Sequence, residues 1–490
     1  MRHYCCNICN VLDLPLGVIS TALQKPERQS YSCENTGGNL GCAHSSGARL
    51  RNTGSPKTTR WSSSPVTAII PIMRVLVLNS RDGLGGAEYA AASLAEGLRL
   101  QDRHQVELLV GTSLSDPASQ IRPKGLPGQL ERGLARLEQT LGLPYLWLPW
   151  STAALQRRLA TFRPEVISLH NIHGNYLALP MLPALAASAP LVLTLHDVWP
   201  LTGHCQYPYE CERWRSGCGS CPRPREYPAL MLGSSGLHWR LKRSLWHTTR
   251  PTLVAPSAWL ASVARHNPLA AGLPLVTIPN GIDTSLFRPR EEPRLPDRSL
   301  RSVVYCLPAD PHNRRRKGAD LAVELLQRLC ACPGPPLRLE LVGARDLDLP
   351  IPTERLVVRR HGFVHDRTRL ASLLADSDLL LLPSRQDNLP TIALEAAACG
   401  TPCVAFDVGG CGETVLQEQT GLLVPPFDLA AFTAAVTSLL RDHDRRLALG
   451  RAARLHILSE FSLARMAERY EACFLQARHD WLRDQGRPVP

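Results

Sequence analysis

Asp387 and Glu395 stand eight residues apart, one after the apolar run 379–382 and the other within the helical pattern 391–398. A strand end followed by the next helix can turn both carboxylates into one cleft. An ionised carboxylate offers several lone pairs, which suits hydroxyl donors of the sugar or ribose kind. The turn Asp82-Gly83-Leu84-Gly85-Gly86-Ala87-Glu88 joins an apolar run to a helical one. Its backbone N–H groups and helix dipole suit a phosphate, and the same glycines equally suit a tight turn with positive φ. Arg314-Arg315-Arg316-Lys317 is the longest block of like charge, fit for an anion or for a solvated loop. His196 closes the apolar run 191–196; a lone histidine is more often structural than functional. Cys205, Cys211, Cys218 and Cys221 crowd 17 residues, the last two as Cys-x-x-Cys. That density suits thiolate coordination of one structural zinc, with His204 able to replace a cysteine, although the first spacing is longer than in common ribbons.

Stepping along the chain gives the elements that must hold these groups. The 490 residues carry 55 Lys+Arg against 43 Asp+Glu, a formal net charge of +12, and 44% are hydrophobic. This is too apolar for a disordered chain and long enough for two or three domains. The positive balance favours anionic partners, but without a longer basic block or a finger or RNA-binding signature nucleic acid is not expected. No run approaches the roughly 18 apolar residues of a spanning helix. Residues 1–72, rich in Ser, Thr, Gly, Asn and Cys, lack helical or strand periodicity and predict disorder, or a leader upstream of a natural start at Met73. No secretory signal is evident there, and the scattered cysteines read as reduced thiols of a cytosolic chain. From Met73 onward short apolar runs recur at 73–79, 105–111, 166–170, 191–196, 252–256 and 276–279, with helical patterns between several of them. The alternation restarts at 302–307, 337–342, 357–362, 379–382 and 402–406. Two α/β domains with parallel sheets follow, at 73–290 and 301–462. Residues 291–300 are the linker, a C-terminal helix within 463–490 packs back across the domains, and the ligand site lies in the cleft between the sheets.

The chain from Met73 onward resembles a family-4 retaining glycosyltransferase of the GT-B fold. The resemblance rests on Gly85-Gly86-Ala87-Glu88, Leu195-His196-Asp197, Pro256-Ser257, Ile278-Pro279-Asn280-Gly281-Ile282-Asp283, Lys317-Gly318, Leu341-Val342-Gly343, His361-Gly362-Phe363-Val364, Pro383-Ser384, and Glu395-Ala396 with Gly400-Thr401-Pro402, all in order. It implies two Rossmann-like domains facing across a cleft, a nucleotide-diphosphate sugar bound mainly by the second and an acceptor bound by the first. By the same resemblance Glu395 holds the ribose. Asp387, where the family usually has a glutamate, contacts the transferred sugar, and Lys317 with Arg316 or Arg315 meets the leaving diphosphate. His196 lies beside the donor sugar. Gly85, Gly86, Asn388, Leu389 and Glu413 complete the donor side, Glu413 either bonding the donor or capping the following helix. A subset of such transferases carries a similar Gly-His-Cys insertion, which makes the zinc structural. The implied reaction is front-face transfer to an acceptor hydroxyl, with no metal or cofactor in the chemical step.

Two other readings compete. A GT-B sugar phosphorylase would need a pyridoxal-phosphate lysine motif, which is not identifiable, and a catalytically silent binding protein is suggested by aspartate at position 387. The acceptor is a saccharide or a lipid-linked one. Residues 145–150 and 237–246, the latter with Leu237, Leu241 and Leu245 on one helical face, suit core packing or a peripheral contact at the inner face of the membrane.

Overall fold

The computed structural model describes residues 72–83, 85–230, 232–291, 300–308, 310–352 and 354–488. The expectations for 1–72 and for the linker 291–300 lie outside these residues, apart from 72, 291 and 300.

Two six-stranded sheets, parallel throughout, form the frame. The first contains β1 (Arg74–Arg81), β2 (Gln105–Thr112), β3 (Val166–Leu169), β4 (Leu191–Thr194), β5 (Thr252–Ala255) and β6 (Leu275–Thr277), in the order β2-β1-β3-β4-β5-β6. The second contains β7 (Arg301–Leu307), β8 (Leu337–Gly343), β9 (Leu356–Gly362), β10 (Leu379–Leu382), β11 (Cys403–Phe406) and β12 (Gly421–Val424), in the order β12-β11-β10-β7-β8-β9. Each order reverses once, between β1 and β3 and between β7 and β10. At such a point adjacent connections leave to opposite faces and open a crevice beyond the carboxyl ends of the strands.

The strands are apolar runs because both faces are covered. In β1, Val75 and Val77 join the cluster under the C-terminal helix, while Leu76 and Leu78 join the cluster on the opposite face. The helices that matter for the site are α1 (Gly86–Leu100), α2 (Ser235–Thr249), α3 (Pro311–Arg316), α4 (Ala319–Ala331), α5 (Thr391–Ala398) and α6 (Leu463–Asp484). Helix α6 lays Met466, Ala467, Tyr470 and Phe474 against Val75, Val77, Val166, Val192 and Val254 of the first sheet. The last helix of the chain therefore closes the first domain, where Gly97 of α1 lets the helices approach: a side chain there would come within 3.1 Å of the Leu463 carbonyl. Among the described residues no helix is long and apolar enough to cross a membrane.

The structure changes two expectations about α2 and its neighbour. The buried stripe of α2 is Ser235, His238, Trp239, Lys242, Leu245, Trp246 and Thr249, so of the leucine face only Leu245 is fully buried, with Leu241 packed against the same core. Lys242 is inside because its ammonium donates to the carbonyls of Trp199 (2.6 Å) and Thr202 (2.9 Å) and lies 3.3 Å from the Trp199 ring centroid, so the acceptors and π face it needs are built in. In 145–150, Tyr145 and Leu148 are buried, whereas Trp147 and Trp150 remain 52% and 37% exposed.

Candidate active site

The connection after β7 sets the basic side of the crevice. Helix α3 ends in Arg314-Arg315-Arg316, Lys317 follows, and Gly318 turns the chain into α4 with φ +67°. A Cβ at Gly318 would fall 1.9 Å from the Pro383 carbonyl, so only glycine lets this turn lie against the end of β10. Arg385 N–H donates to the Arg316 carbonyl (2.7 Å) and closes the seam. Gly318→Ala is therefore expected to destabilise the protein by about 2–4 kcal/mol, adding a left-handed penalty to a clash with backbone. Denaturant unfolding with an unchanged slope checks it; a change below about 0.5 kcal/mol would mean the turn yields freely.

The seam carries Lys317 and Arg316 onto Asp387. Lys317 Nζ donates to Oδ2 (2.6 Å), Arg316 Nη1 to Oδ1 (2.9 Å), and Ser384 Oγ to Oδ2 (3.2 Å). Asp387 is 5% exposed. Burial pushes its carboxyl up, yet the charges of Lys317 and Arg316 outweigh that and hold it below the usual aspartate range. Eight residues on, Glu395 of α5 is equally buried and accepts from Arg367 Nη2 (2.7 Å). Here burial prevails and the carboxyl is raised in spite of Arg367. Arg367 is itself clasped by Tyr89 of α1 and by Phe287, 4.0 and 4.7 Å from their ring centroids. Both expected sugar-side carboxylates are thus pre-paired with cations.

Opposite them, β4 ends at Thr194, two residues before His196. The His196 ring bonds His170 (Nε2 to Nδ1, 2.8 Å), and His170 Nε2 meets Ser168 Oγ at 3.0 Å. Burial lowers His196 to about 4, so its imidazole is neutral at pH 7 and holds one donor and one acceptor nitrogen. Asp197 beside it accepts from Trp199 N–H (2.8 Å), and burial raises its carboxyl to about 7.

Several expected donor residues make defined contacts within the protein. Asn388 donates to the carbonyls of Leu195 (3.1 Å) and His196 (3.0 Å) and accepts from Ser257 Oγ (2.6 Å), so it ties the second domain to the end of β4. That tie brings His196 and Asp387 to the same crevice. Leu389 is in the second domain's core. The Glu413 carboxylate accepts from Ala258 N–H (2.6 Å) and Trp259 N–H (2.9 Å) at the start of the first-domain helix Ala258–Arg265, across from the helix it belongs to. Gly86 opens α1 against Thr391, where a side chain would approach Oγ1 to 2.8 Å, while Gly85 lies beside the mobile end of the Glu88 side chain. Cys205, Cys211, Cys218 and Cys221 lie in one loop with free thiols, and His204 Nε2 is 3.1 Å from Cys221 Sγ. Among the described residues no group of three His, Cys, Asp or Glu side chains is arranged to hold a metal ion. Sequence reasoning missed Arg367, His170, Lys242 and the loop tyrosines 207 and 209. Their partners lie far along the chain, and the one available signal was the two aromatics beside the cysteines.

Two parallel α/β halves, with Arg316 and Lys317 at the β7–β10 switch point and His196 beyond the end of β4, have the architecture of the GT-B fold. Comparison with known proteins agrees with this class. Residues 84–286 match Glycosyltransferase Family 4 and residues 303–442 match Glycosyl transferases group 1. The chain belongs to the family-4 glycosyltransferases. It is 35% identical over 178 residues to a glycogen synthase of Mycobacterium tuberculosis, covering 36% of this chain and 42% of that one. It is 30% identical over 193 residues to a D-inositol 3-phosphate glycosyltransferase of Xylanimonas cellulosilytica, covering 36% and 45%. The chain thus spans less than half the length of these two relatives. In fold it is similar to sucrose-phosphate synthase from Thermosynechococcus elongatus (TM-score 0.59, 18% identity, 82% of this chain and 98% of that one). It is likewise similar to Anabaena HepE in complex with UDP-glucose (TM-score 0.53, 18% identity, 83% and 100%).

Proposed function

We propose that the protein moves a sugar from a nucleotide-diphosphate sugar to an acceptor hydroxyl with retention of anomeric configuration, in polysaccharide or glycoconjugate synthesis. The observation that carries this reading is the convergence of Arg316 and Lys317 at the carboxyl ends of β7 and β10, facing His196 across the crevice. Two fixed cations in a buried site stabilise negative charge that grows on a leaving diphosphate, and they do so without reorganising at the moment of reaction. The neutral His196 offers a donor or an acceptor to a sugar hydroxyl, Asp387 an acceptor near the transferred sugar, and Glu395 an acceptor for the ribose. In the front-face route the acceptor oxygen bonds to the anomeric carbon as the C–O bond to the phosphate breaks, and the acceptor proton passes to the departing phosphate oxygen. The charge on that phosphate falls to Arg316 and Lys317, so the reading invokes no cofactor. A UDP-sugar complex of a fold neighbour supports the donor class. The exposed Trp147 and Trp150 support work against a lipid-linked acceptor at the inner face of the membrane, in the cytoplasm.

A thermal-shift screen of nucleotide sugars, followed by NMR of the product's anomeric carbon, tests the proposal; stabilisation by none of them would refute it. Donor hydrolysis or transfer distinguishes an enzyme from a silent binding protein. Glu395→Gln is expected to weaken nucleoside diphosphate binding roughly tenfold or more, since a charged acceptor is lost. Unchanged affinity in a titration would remove Glu395 from the nucleotide site.

A further inference from the structure

The cysteine-rich loop is the feature that the proposed chemistry leaves unused, and its path is informative. It leaves the first domain directly after His196 and Asp197 and is pinned at both ends. Lys242 holds the carbonyls of Trp199 and Thr202, and Thr202 Oγ1 donates to the Cys205 carbonyl (2.7 Å). His204 Nδ1 bonds the Pro228 carbonyl (3.0 Å) and Ser235 Oγ bonds the Cys218 carbonyl. Gly203 admits the close approach of the Ser235 carbonyl, 2.4 Å from where a Cβ would stand.

Between these pins the loop crosses to the second domain and meets its basic connection. The Arg316 guanidinium lies over the Tyr207 ring, 4.8 Å from its centroid. Tyr209 is flanked by Arg315 at 4.9 Å and Arg223 at 5.2 Å, its N–H donates to Gln386 Oε1 (3.1 Å), and Arg315 Nη1 reaches Glu226 at 3.1 Å. Gln386 is the residue immediately before Asp387.

We infer that Tyr207, supplied by the cysteine-rich loop of the first domain, is a positioning residue that sets the plane of Arg316 for the diphosphate of the donor. The inference rests on the nucleotide-diphosphate reading of the site. Its physical basis is the geometry of a guanidinium, whose N–H donors all lie in its plane while its faces carry none. A ring against one face fixes that plane and consumes no donor. Arg316 spends Nη1 on Asp387 and Nε on Asn313 Oδ1 (3.1 Å), so its remaining in-plane donors stay available to an anion. A carboxylate or amide in the place of Tyr207 would hold the arginine equally well and would occupy those donors. Buried cations are held in place against desolvation only by partners, and here the partner that leaves the edge open comes from the opposite domain.

The test uses the full chain and titrates UDP, ADP and GDP, each against its own monophosphate, by calorimetry. For whichever diphosphate the parent protein binds, Tyr207→Ala is expected to lower affinity about three- to thirtyfold, the range of a desolvated cation–π contact. Affinity for the monophosphate should change less than about twofold on the same footing. Tyr207→Phe keeps the ring and should retain the parent affinity. Tyr207→Leu fills the space without a π face and should behave as the alanine variant does, which keeps the test decisive if the alanine variant does not fold. Equal losses for diphosphate and monophosphate would make Tyr207 a merely structural residue, and parental diphosphate binding in the leucine variant would overturn the inference while leaving the donor reading standing. A parent protein that binds none of the three diphosphates overturns both.

Discussion

Asp387→Asn is expected to lower sugar transfer by roughly ten- to hundredfold, to destabilise the free protein, and yet to enlarge the stabilisation a nucleoside diphosphate confers. The three effects follow from one arrangement. Asp387 is buried and accepts from Lys317 at 2.6 Å and from Arg316 at 2.9 Å, so in the free protein it is the counter-ion of both cations. The asparagine keeps the shape and removes the charge. Two cations are then left facing each other in a site with little water, and breaking such a pair costs about 3–5 kcal/mol. A diphosphate brings its own negative charge to the same pair. In the parent it competes with the carboxylate; in the variant it does not. Melting curves with and without diphosphate read this directly: the ligand-induced rise should be larger in Asp387→Asn than in the parent. A smaller rise would mean that Arg316 and Lys317 do not hold the phosphates. Asp387→Glu, which restores the usual family residue, should keep transfer at the parental level or raise it, since the charge stays and only one methylene is added.

The same region shows what a sequence can disclose about a site. Asp387, Glu395, Lys317 and His196 follow apolar runs at regular intervals, and in a parallel sheet every strand end opens on the same side. That Asp387, Glu395 and His196 could face one crevice was therefore legible from order and periodicity, whereas Lys317 was picked out by the family resemblance. Strand bounds were right to one or two residues for the same reason, although β12 (Gly421–Val424) was not read. Side-chain direction was not legible. Asn388 and Leu389 are neighbours of Asp387 in sequence, but one turns to the carbonyls of Leu195 and His196 and the other into the core. Glu413 serves a helix about 150 residues away in the chain, a partner that no local pattern indicates. Lys242 breaks the rule that charge marks the outer face of a helix, because two carbonyls and an indole ring wait for it inside. The cysteine spacing shows which thiols share one loop, and it does not show how their side chains are turned.

Buried histidines around the crevice give the second large effect, a loss of stability in mild acid. Burial holds His173 at about 3, His196 and His238 at about 4, His170 well below its ordinary value, and His204 below it as well. An unfolded chain protonates all five near pH 6.5, the ordinary value for histidine. Between there and pH 4 the unfolded state binds more protons at these positions, so stability is full above about pH 6.5 and falls as the pH drops. The depressed carboxyl of Asp387 adds to the loss at lower pH. Carboxyls with raised values act the other way. Asp197 and Glu138 sit at about 7, and Glu88 and Glu395 are raised as well, so the folded state keeps protons there that the unfolded chain has released. Lys242, drawn down to about 7, has its effect above that pH and none below it. The five lowered histidines outnumber the four raised carboxyls, so the unfolded state binds more protons over this range and stability falls as the pH drops. The unfolding midpoint in denaturant should be clearly lower at pH 5.5 than at pH 7.5, and an equal or higher midpoint in acid would show that these imidazoles are charged in the folded protein. Asp197→Asn separates the opposing contributions. The amide resembles the protonated carboxyl and cannot ionise in the unfolded chain, so the variant should already be more stable than the parent at pH 5.5, and by a larger margin at pH 7.5, where the parent must either keep its proton or carry a buried negative charge. Its loss on acidification should accordingly be steeper than the parent's.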